Sequence, residues 1–511
     1  MRFSLFPDQI EFKRNLGIEL NRYGSIIGCA ATGFGKTIVF TEIADGYRSA
    51  KPKNSVLVLT ESIKIYNQTA EELNGNVIQI NANVKDPFLP LEEGCIIIAM
   101  SQTLARRPKL LERIQEMGNN LLMLIDEGHI GTQNSVIREL PTAKKICFTA
   151  TPDARWAKHL PEFYRSIVVG PQPSELIHLG RLEPYKHFAR VSADLGKLTV
   201  KGGEFTEESQ EAVFGTAKVF DGLVEDLRTI KYQKALIFCA SIADCEMEHG
   251  RLSAAGFKCV RVHTNRSILT EEEEAYQLGQ FMTTNDHNIC ISVGTMTKGY
   301  DFPPVDLVVL RRATTSLPLY IQMCGRGGRV CNERVINQKG FNAWGCRPKK
   351  GWVCLDYGHN FLRFGLWDMD REWEEVWNKP SKQKEGVAPI KICPQCEYVM
   401  PNQASVCPNC GFEFVKKPKE VEPGKLIEIT EAFSKLAGKT MSQLLPEELA
   451  IYSNFKNKRN FAARVAKALD RKTPGYLEKF AAAMGYKPSW VDHARRLVEG
   501  QDVQFPDYEI R

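Results

Sequence analysis

Four short stretches carry residues whose types and spacing suit chemistry on phosphate or on a metal ion. In "CAATGFGKT", Gly33 and Gly35 precede Lys36 and Thr37, close to the pattern G-x-x-x-x-G-K-[ST] with Ala30 at the first glycine position. Glycines there let backbone N–H groups turn inward around phosphate oxygens; the lysine brings positive charge to the β/γ-phosphates, and the threonine hydroxyl suits Mg²⁺. In "LLMLIDEGH" an apolar run ends in Asp126 and Glu127. At such a position Asp126 would hold a metal through water, and Glu127 would orient and deprotonate an attacking water. "YIQMCGRGGRV" sets Arg326 and Arg329 three residues apart beside glycines. The fourth stretch, "CPQCEYVMPNQASVCPNCGFEF", gives C-x₂-C-x₁₀-C-x₂-C through Cys393, Cys396, Cys407 and Cys410. Four thiolates so spaced suit a tetrahedral Zn²⁺ with no open position, hence a structural metal.

Each stretch also has a plainer reading. The first is a glycine-rich turn with an incidental Lys-Thr, and the second an acidic pair opening a surface loop. The arginines are solvated charge, and the cysteines are a redox pair or disulfides.

The elements needed to position these residues are visible in the hydrophobic pattern. "SIIGCA", "SVLVLT", "CIIIAM", "LLMLID" and "KICFTA" read as buried strands separated by amphipathic segments, and "ALIFCA", "CVRVH", "NICISV", "DLVVL" and "GWVCLD" repeat the rhythm. Near-continuous apolar runs indicate parallel sheets covered on both faces. The pattern therefore predicts an α/β chain with two parallel-sheet domains, at 1–170 and 175–380, then a Cys-rich module at 388–415 and a helical domain at 425–511. Polar linkers around "NKPSKQKEGVAP" and "FVKKPKEVEPGK" separate the last two.

The bulk numbers fit that division. A chain of 511 residues is too long for one core. Hydrophobic and charged contents of 43% and 25% are those of a globular protein, and a net charge of +6 permits nucleic-acid binding without requiring it. No stretch approaches the ~20 apolar residues needed to span a bilayer, and no secretory signal is read. Eleven of the fifteen cysteines are scattered singly through apolar segments, where reduced thiols act as small hydrophobes. A reducing, cytoplasmic setting, in a bacterial or phage-infected cell, is expected.

Taken in order, "ATGFGKT", "VLVLTESIKIYNQT", "AMSQTL", "DEGH", "FTATP", "ALIFCAS", "SVGTMTKGYDFP" and "QMCGRGGR" resemble the motifs of superfamily 2 helicases and translocases. The similarity is to the DEAH-type group that includes phage and bacterial DNA-unwinding and branch-migration enzymes, and it covers roughly residues 1–375. It implies two tandem RecA-like domains that sandwich ATP, with Mg²⁺, and arginines of the second reaching the γ-phosphoryl. On that basis Arg326 and Arg329 are arginine fingers. Thr32, Gly33, Phe34, Gly35, Lys36 and Thr37 form the phosphate loop, and Gln9 of "LFPDQ" pairs with adenine. His129 and Gln322 are similar to coupling residues near the γ-phosphate. Thr149, Thr151, Gly299 and Asp301 match segments that transmit the nucleotide state. Two positions depart from the family pattern: Asp8 cannot stack on adenine, leaving Phe6 to contribute, and Lys298 stands where relatives often carry an acid.

The resemblance further implies a single-stranded track gripped by its phosphates. Candidate contacts are Ser101, Gln102 and Thr103 in the first domain, and Thr295, Lys298 and Thr314–Thr315–Ser316 in the second. Each of these could equally be a helix cap or a loop polar group. Lysines 391, 416, 417 and 419 around the cysteines, and basic residues interleaved with Phe461, Tyr486 and Trp490, suit a phosphate surface or a solvated face over an aromatic core. The expectation is an ATP-, Mg²⁺- and Zn²⁺-containing DNA helicase or translocase acting on forks or junctions, with replication or recombination proteins as partners. The alternatives are an RNA helicase, or a DNA-binding zinc protein with a non-catalytic nucleotide fold.

Overall fold

The structure, a computed structural model, describes residues 5–61, 66–67, 69–70, 73, 77–82, 89, 91–152, 159–190, 198–201, 203–214, 222–294, 296, 301–378, 390–392, 399–401, 426–428, 430, 439, 443–455, 459–470, 473–486, 490–491 and 494. The chain divides into two units. The first comprises Met1–Ala31, Gly35–Pro171 and Arg371–Glu422, and the second Thr32–Phe34, Gln172–Asp370 and Pro423–Arg511.

In the first unit, β1 (Ser25–Cys29), β2 (Ser55–Thr60), β3 (Val77–Ile80), β4 (Ile96–Met100), β5 (Leu121–Asp126), β6 (Lys144–Thr149) and β7 (Ser166–Val169) form one sheet. Its order is β3-β4-β2-β5-β6-β1-β7, and every pairing is parallel. The apolar runs explain the middle of the sheet: Leu57, Ile97, Met123, Ile125 and Cys147 lie in one buried core, because helices cover the faces of the sheet. The helix Trp373–Asn378 belongs to this unit too, with Trp377 against the same core.

The second unit contains β8 (Tyr185–Arg190), a short antiparallel pair β9 (Val200–Lys201) and β10 (Glu204–Phe205), then β11 (Ala235–Cys239), β12 (Cys259–Val262), β13 (Ile289–Ser292), β14 (Leu307–Arg311) and β15 (Trp352–Asp356). Later in the chain β18 (Leu426–Glu428) joins this unit, whereas β16 (Ile390–Ile392) and β17 (Val399–Pro401), an antiparallel pair flanking positions 393–398, fall in the first. The second sheet runs β12-β13-β11-β14-β15-β8-β18, parallel except that β18 is antiparallel to β8.

All ten strands expected from the apolar runs are present. The sequence reading did not include β3, β7, β8 and β18 of the two sheets, nor the short pairs β9–β10 and β16–β17. β8, "YKHFAR", is interrupted by Lys186 and His187, and β18 lies in the segment read as purely helical. The helices Pro446–Phe455, Arg459–Asp470 and Tyr476–Ala483 bury Leu449, Val465, Leu477 and Phe480 in one core with Ala189 and Phe361. Among the described residues no helix is long and apolar enough to cross a membrane, and the eleven singly placed cysteines are buried as free thiols.

Candidate active site

The phosphate-loop candidate sits between β1 and the fifteen-residue helix Lys36–Ala50. Gly33 and Gly35 adopt φ of 90° and 87°, the left-handed region that glycine enters without a Cβ penalty. The helix begins directly after Gly35, so its first N–H groups, unpaired within the helix, face the loop. Gln9 comes from the helix Pro7–Tyr23 and is buried. Its Oε1 accepts the Phe6 N–H at 3.0 Å, and a Cβ at position 35 would lie 2.7 Å from its Nε2. The glutamine and the loop thus lie side by side.

Asp126 ends β5, which lies between β2 and β6, and Glu127 follows it. Lys36 Nζ is 3.4 Å from Glu127 Oε1. His129 Nδ1 is 3.2 Å from Glu127 Oε2 and 3.0 Å from Thr149 Oγ1 at the end of β6. The Thr151 N–H donates to that same hydroxyl at 3.1 Å. An unbroken series of polar contacts therefore runs from Lys36 through Glu127, His129 and Thr149 to Thr151. Glu127 itself has φ 49°, a left-handed conformation rare outside glycine. Such a conformation persists where its surroundings over-determine it; here Ile130 N–H donates to the Glu127 carbonyl at 3.0 Å, and Lys36 and His129 hold the carboxylate.

The two adjacent carboxyls diverge electrostatically. Burial and then the neighbouring Glu127 charge push Asp126 up to about 7, and Lys36 only partly opposes them. Burial also acts to raise Glu127, but Lys36 and His129 together outweigh it and hold this carboxyl well below its usual range. Glu127 is therefore held ionised. Asp126 is a half-buried carboxyl whose ionised form calls for a cation, so the donor set Asp126 and Thr37 fits Mg²⁺.

The arginine segment follows the helix Leu317–Cys324, which carries the buried Gln322. Arg326 is buried, and its N–H donates to the Met323 carbonyl at 3.2 Å. Arg329 Nη1 lies 3.4 Å from Asp301 Oδ1, whose other oxygen is 2.9 Å from Lys339 Nζ. Burial would raise Asp301, but Arg329 and Lys339 together lower it. Glycine is required at 327 and 328, where a Cβ would overlap the rings of Trp352 and Trp367.

Several expected nucleic-acid contacts need correction. Ser101 is fully buried, its hydroxyl donating to the Thr60 carbonyl at 3.5 Å; only Gln102 is exposed, with Thr103 half-buried. The Thr314–Thr315–Ser316 cluster is engaged internally. Thr314 Oγ1 donates to Glu204 Oε2 at 2.7 Å, Thr315 Oγ1 donates to the Gly203 carbonyl, and Ser316 Oγ caps the helix at Leu319 N–H. Thr295, Lys298, Gly299 and the four grouped cysteines lie outside the described residues. Among the described residues no group of three or more His, Cys, Asp or Glu is arranged to hold a metal.

Sequence reasoning missed Gln133, fully buried, whose Nε2 donates to the Asp126 carbonyl at 3.2 Å, and His159, whose Nε2 is 2.9 Å from the Gly128 carbonyl. Both hold the acidic turn from outside the motif; Gln133 lies 7 positions after Asp126 and His159 lies 31 after Gly128, and neither residue type marks the role.

Residues 2–154 match the family described as "Type III restriction enzyme, res subunit", and residues 218–331 match "Helicase conserved C-terminal domain". A "51.5 kDa protein" of a Lactococcus phage is 24% identical over 311 residues, covering 60% of this chain and 64% of its own length. A Saccharomyces cerevisiae protein named as an ATP-dependent helicase, IRC3, is 23% identical over 60% of this chain and 46% of its own. The chain thus spans less than two-thirds of these relatives. A fragment named as the HsdR subunit of a type I restriction enzyme from Vibrio vulnificus has a similar fold, with TM-score 0.53 and 21% identity over 71% of this chain and 66% of that one. The two matched domains fall on the two parallel-sheet units and make this chain similar to restriction-enzyme subunits and helicases over those stretches.

Proposed function

We propose that this protein hydrolyses ATP with Mg²⁺ and couples that hydrolysis to movement along DNA. The observation that carries the reading is the contact series Lys36–Glu127–His129–Thr149–Thr151, which joins a phosphate-binding lysine to the "FTATP" segment. Lys36 and the loop N–H groups bind phosphate oxygens. Glu127, held ionised, orients the attacking water and takes its proton, and His129 senses that change through the shared carboxylate. Asp126 and Thr37 would hold Mg²⁺, which supplies charge neutralisation at the β/γ-phosphates. Arg326 and Arg329 add positive charge to the γ-phosphoryl as the bond breaks.

DNA is favoured as the track because the fold neighbours include a type ISP restriction-modification enzyme, LlaBIII, solved bound to DNA (TM-score 0.50, 13% identity over 71% of this chain and 30% of that one). Forks and junctions in replication, recombination or repair are the substrates the resemblance suggests, in the cytoplasm, with proteins of those processes as partners. Cys393, Cys396, Cys407 and Cys410 would hold one structural Zn²⁺, since four thiolates close its coordination. A measurement of about one zinc per chain, released by a thiol-blocking mercurial, is the expected result; a zinc-free protein rejects the site.

The main test is ATP hydrolysis with and without DNA or RNA at stated salt, followed by unwinding of forks, four-way junctions, duplex and RNA hybrids. Lys36→Ala is expected to abolish stimulated turnover, and Glu127→Gln to lower kcat by ~10²–10⁴ with ATP still bound. An unchanged rate in Lys36→Ala rejects the site, and stimulation by RNA alone replaces DNA as the track.

A further inference from the structure

Lys349 lies in "CRPKKG", a stretch that reads as surface charge, yet it is only 8% exposed. Its Nζ is 2.6 Å from the Gly327 carbonyl oxygen, 2.7 Å from that of Arg329, 2.9 Å from that of Val305 and 3.1 Å from that of Pro303. Its own N–H donates to the Cys331 carbonyl at 2.8 Å. An ammonium has three protons, and here four carbonyl oxygens share them. Desolvating such a cation costs several kcal/mol, so its placement needs a return.

The carbonyl partners suggest what that return is. Two belong to the glycine–arginine loop, at Gly327 and Arg329. The other two, Pro303 and Val305, follow Asp301, whose carboxylate pairs with the Arg329 guanidinium at 3.4 Å. One cation therefore gathers the backbone of the arginine and the backbone of that arginine's carboxylate partner. The Glu183 N–H, donating to the Gly328 carbonyl at 2.8 Å, fixes the loop from its other edge.

We propose that Lys349 is a positioning residue for ATP hydrolysis, holding the backbone from which Arg329 projects in register with the segment that begins at Asp301. This rests on the arginine-finger reading above. A methionine at this position offers no N–H to either segment, and removing the ammonium leaves four carbonyl acceptors without their donor. The other caged lysine, Lys234, differs: its Nζ donates to the carbonyls of Phe281, Thr284 and His287, at and just beyond the end of one helix, remote in sequence from the arginines. It serves as the control for a merely structural buried cation.

The experiment measures DNA-stimulated ATP hydrolysis by the full chain carrying Lys349→Met, Lys349→Arg, Arg329→Ala, Lys349→Met with Arg329→Ala, or Lys234→Met. Lys349→Met is expected to lower kcat about 10–100-fold while KM for ATP changes less than about twofold, since a small misplacement of a charge-stabilising group can cost that much. Lys349→Arg regains part of the turnover, and the double variant is no slower than Arg329→Ala alone. A kcat for Lys349→Met equal to that of Lys234→Met, or losses that multiply in the double variant, overturns the proposal. If Arg329→Ala turns over like the wild type, the arginine-finger reading falls and takes this inference with it; if Arg329→Ala is slow and Lys349→Met is not, only this inference falls.

Should Lys349→Met not fold, the wild type decides. Burial lowers the Lys349 ammonium to about 8, with Glu183, Asp306, Cys331 and Arg329 as the charged or titratable groups acting on it. Wild-type kcat is then expected to fall as pH rises through 8, and the residual turnover of Arg329→Ala to stay level. A wild-type profile that stays level from pH 7 to about 10, or an Arg329→Ala profile that falls in parallel with the wild type, overturns the proposal.

Discussion

Asp126 and Glu127 share one burial problem and meet it differently, because Lys36 and His129 both face Glu127. Asp126, raised to about 7, carries its proton on about half of the molecules at neutral pH and on most of them below it. Mg²⁺–nucleotide binding is therefore expected to release about one proton below pH 7 and to tighten between pH 6 and 8. Calorimetry in two buffers of different ionisation enthalpy checks this, and Asp126→Asn should abolish both effects. The stability sign is fixed as well. The folded pKa lies above the unfolded value near 3.8, so this group's contribution falls as pH rises from about 4 to 7 and is level above. His129→Ala and Thr149→Val should each lower DNA-stimulated turnover by about 10–100-fold, and together no more than either alone, since they interrupt one series of contacts. A multiplicative loss would separate their roles. At this scale the chemistry was legible wherever it dictates residue type and spacing, as at Lys36 or Glu127. Ser101 was not, because a serine hydroxyl serves a buried carbonyl as readily as a phosphate and its type does not say which. Gln133 was not, because its service to Asp126 is through the backbone carbonyl, which any donor of the right reach could supply.

Strands with apolar faces on both sides announced themselves, and all ten so read are in the sheets. Those with polar interruptions did not: β8 buries His187, which lies 3.5 Å from the equally buried Asp356 of β15. The turn after β14 shows how element packing redirects polar residues. Glu204 of β10 accepts from Thr314 Oγ1 and from the Thr315 N–H, the latter at 2.8 Å, and Thr314 N–H donates to Asn360 Oδ1 at 2.9 Å. Thr314→Val is expected to cost about 1–3 kcal/mol in thermal or denaturant unfolding, because the half-buried Glu204 carboxylate loses a donor and the Ser316 N–H loses its acceptor. DNA affinity should stay unchanged; a loss of affinity at constant stability would restore the phosphate-contact reading.

For the molecule as a whole, the chain order is interleaved. After Asp370 the polypeptide returns to the first unit, where Trp377 packs, and from Pro423 it supplies β18 and three helices to the second. Two helicase domains could be expected from the motifs, but not this exchange of segments, since a three-residue strand such as "LIE" carries no periodicity. A chain truncated after residue 380 should keep Trp377 in place yet lose β18, leaving β8 paired only with β15, and bare Ala189 and Phe361. Lower melting temperature and concentration-dependent association are the expected outcomes by scanning calorimetry and light scattering, because an unpaired edge strand recruits other strands.

The same late strand sets a schedule for biosynthesis. β18 emerges roughly 240 residues after β8, about 10–50 s later at 5–20 residues per second. For that interval the nascent second sheet has a vacant margin at the ribosome, and a chaperone that shields it would have its work timed by the elongation rate.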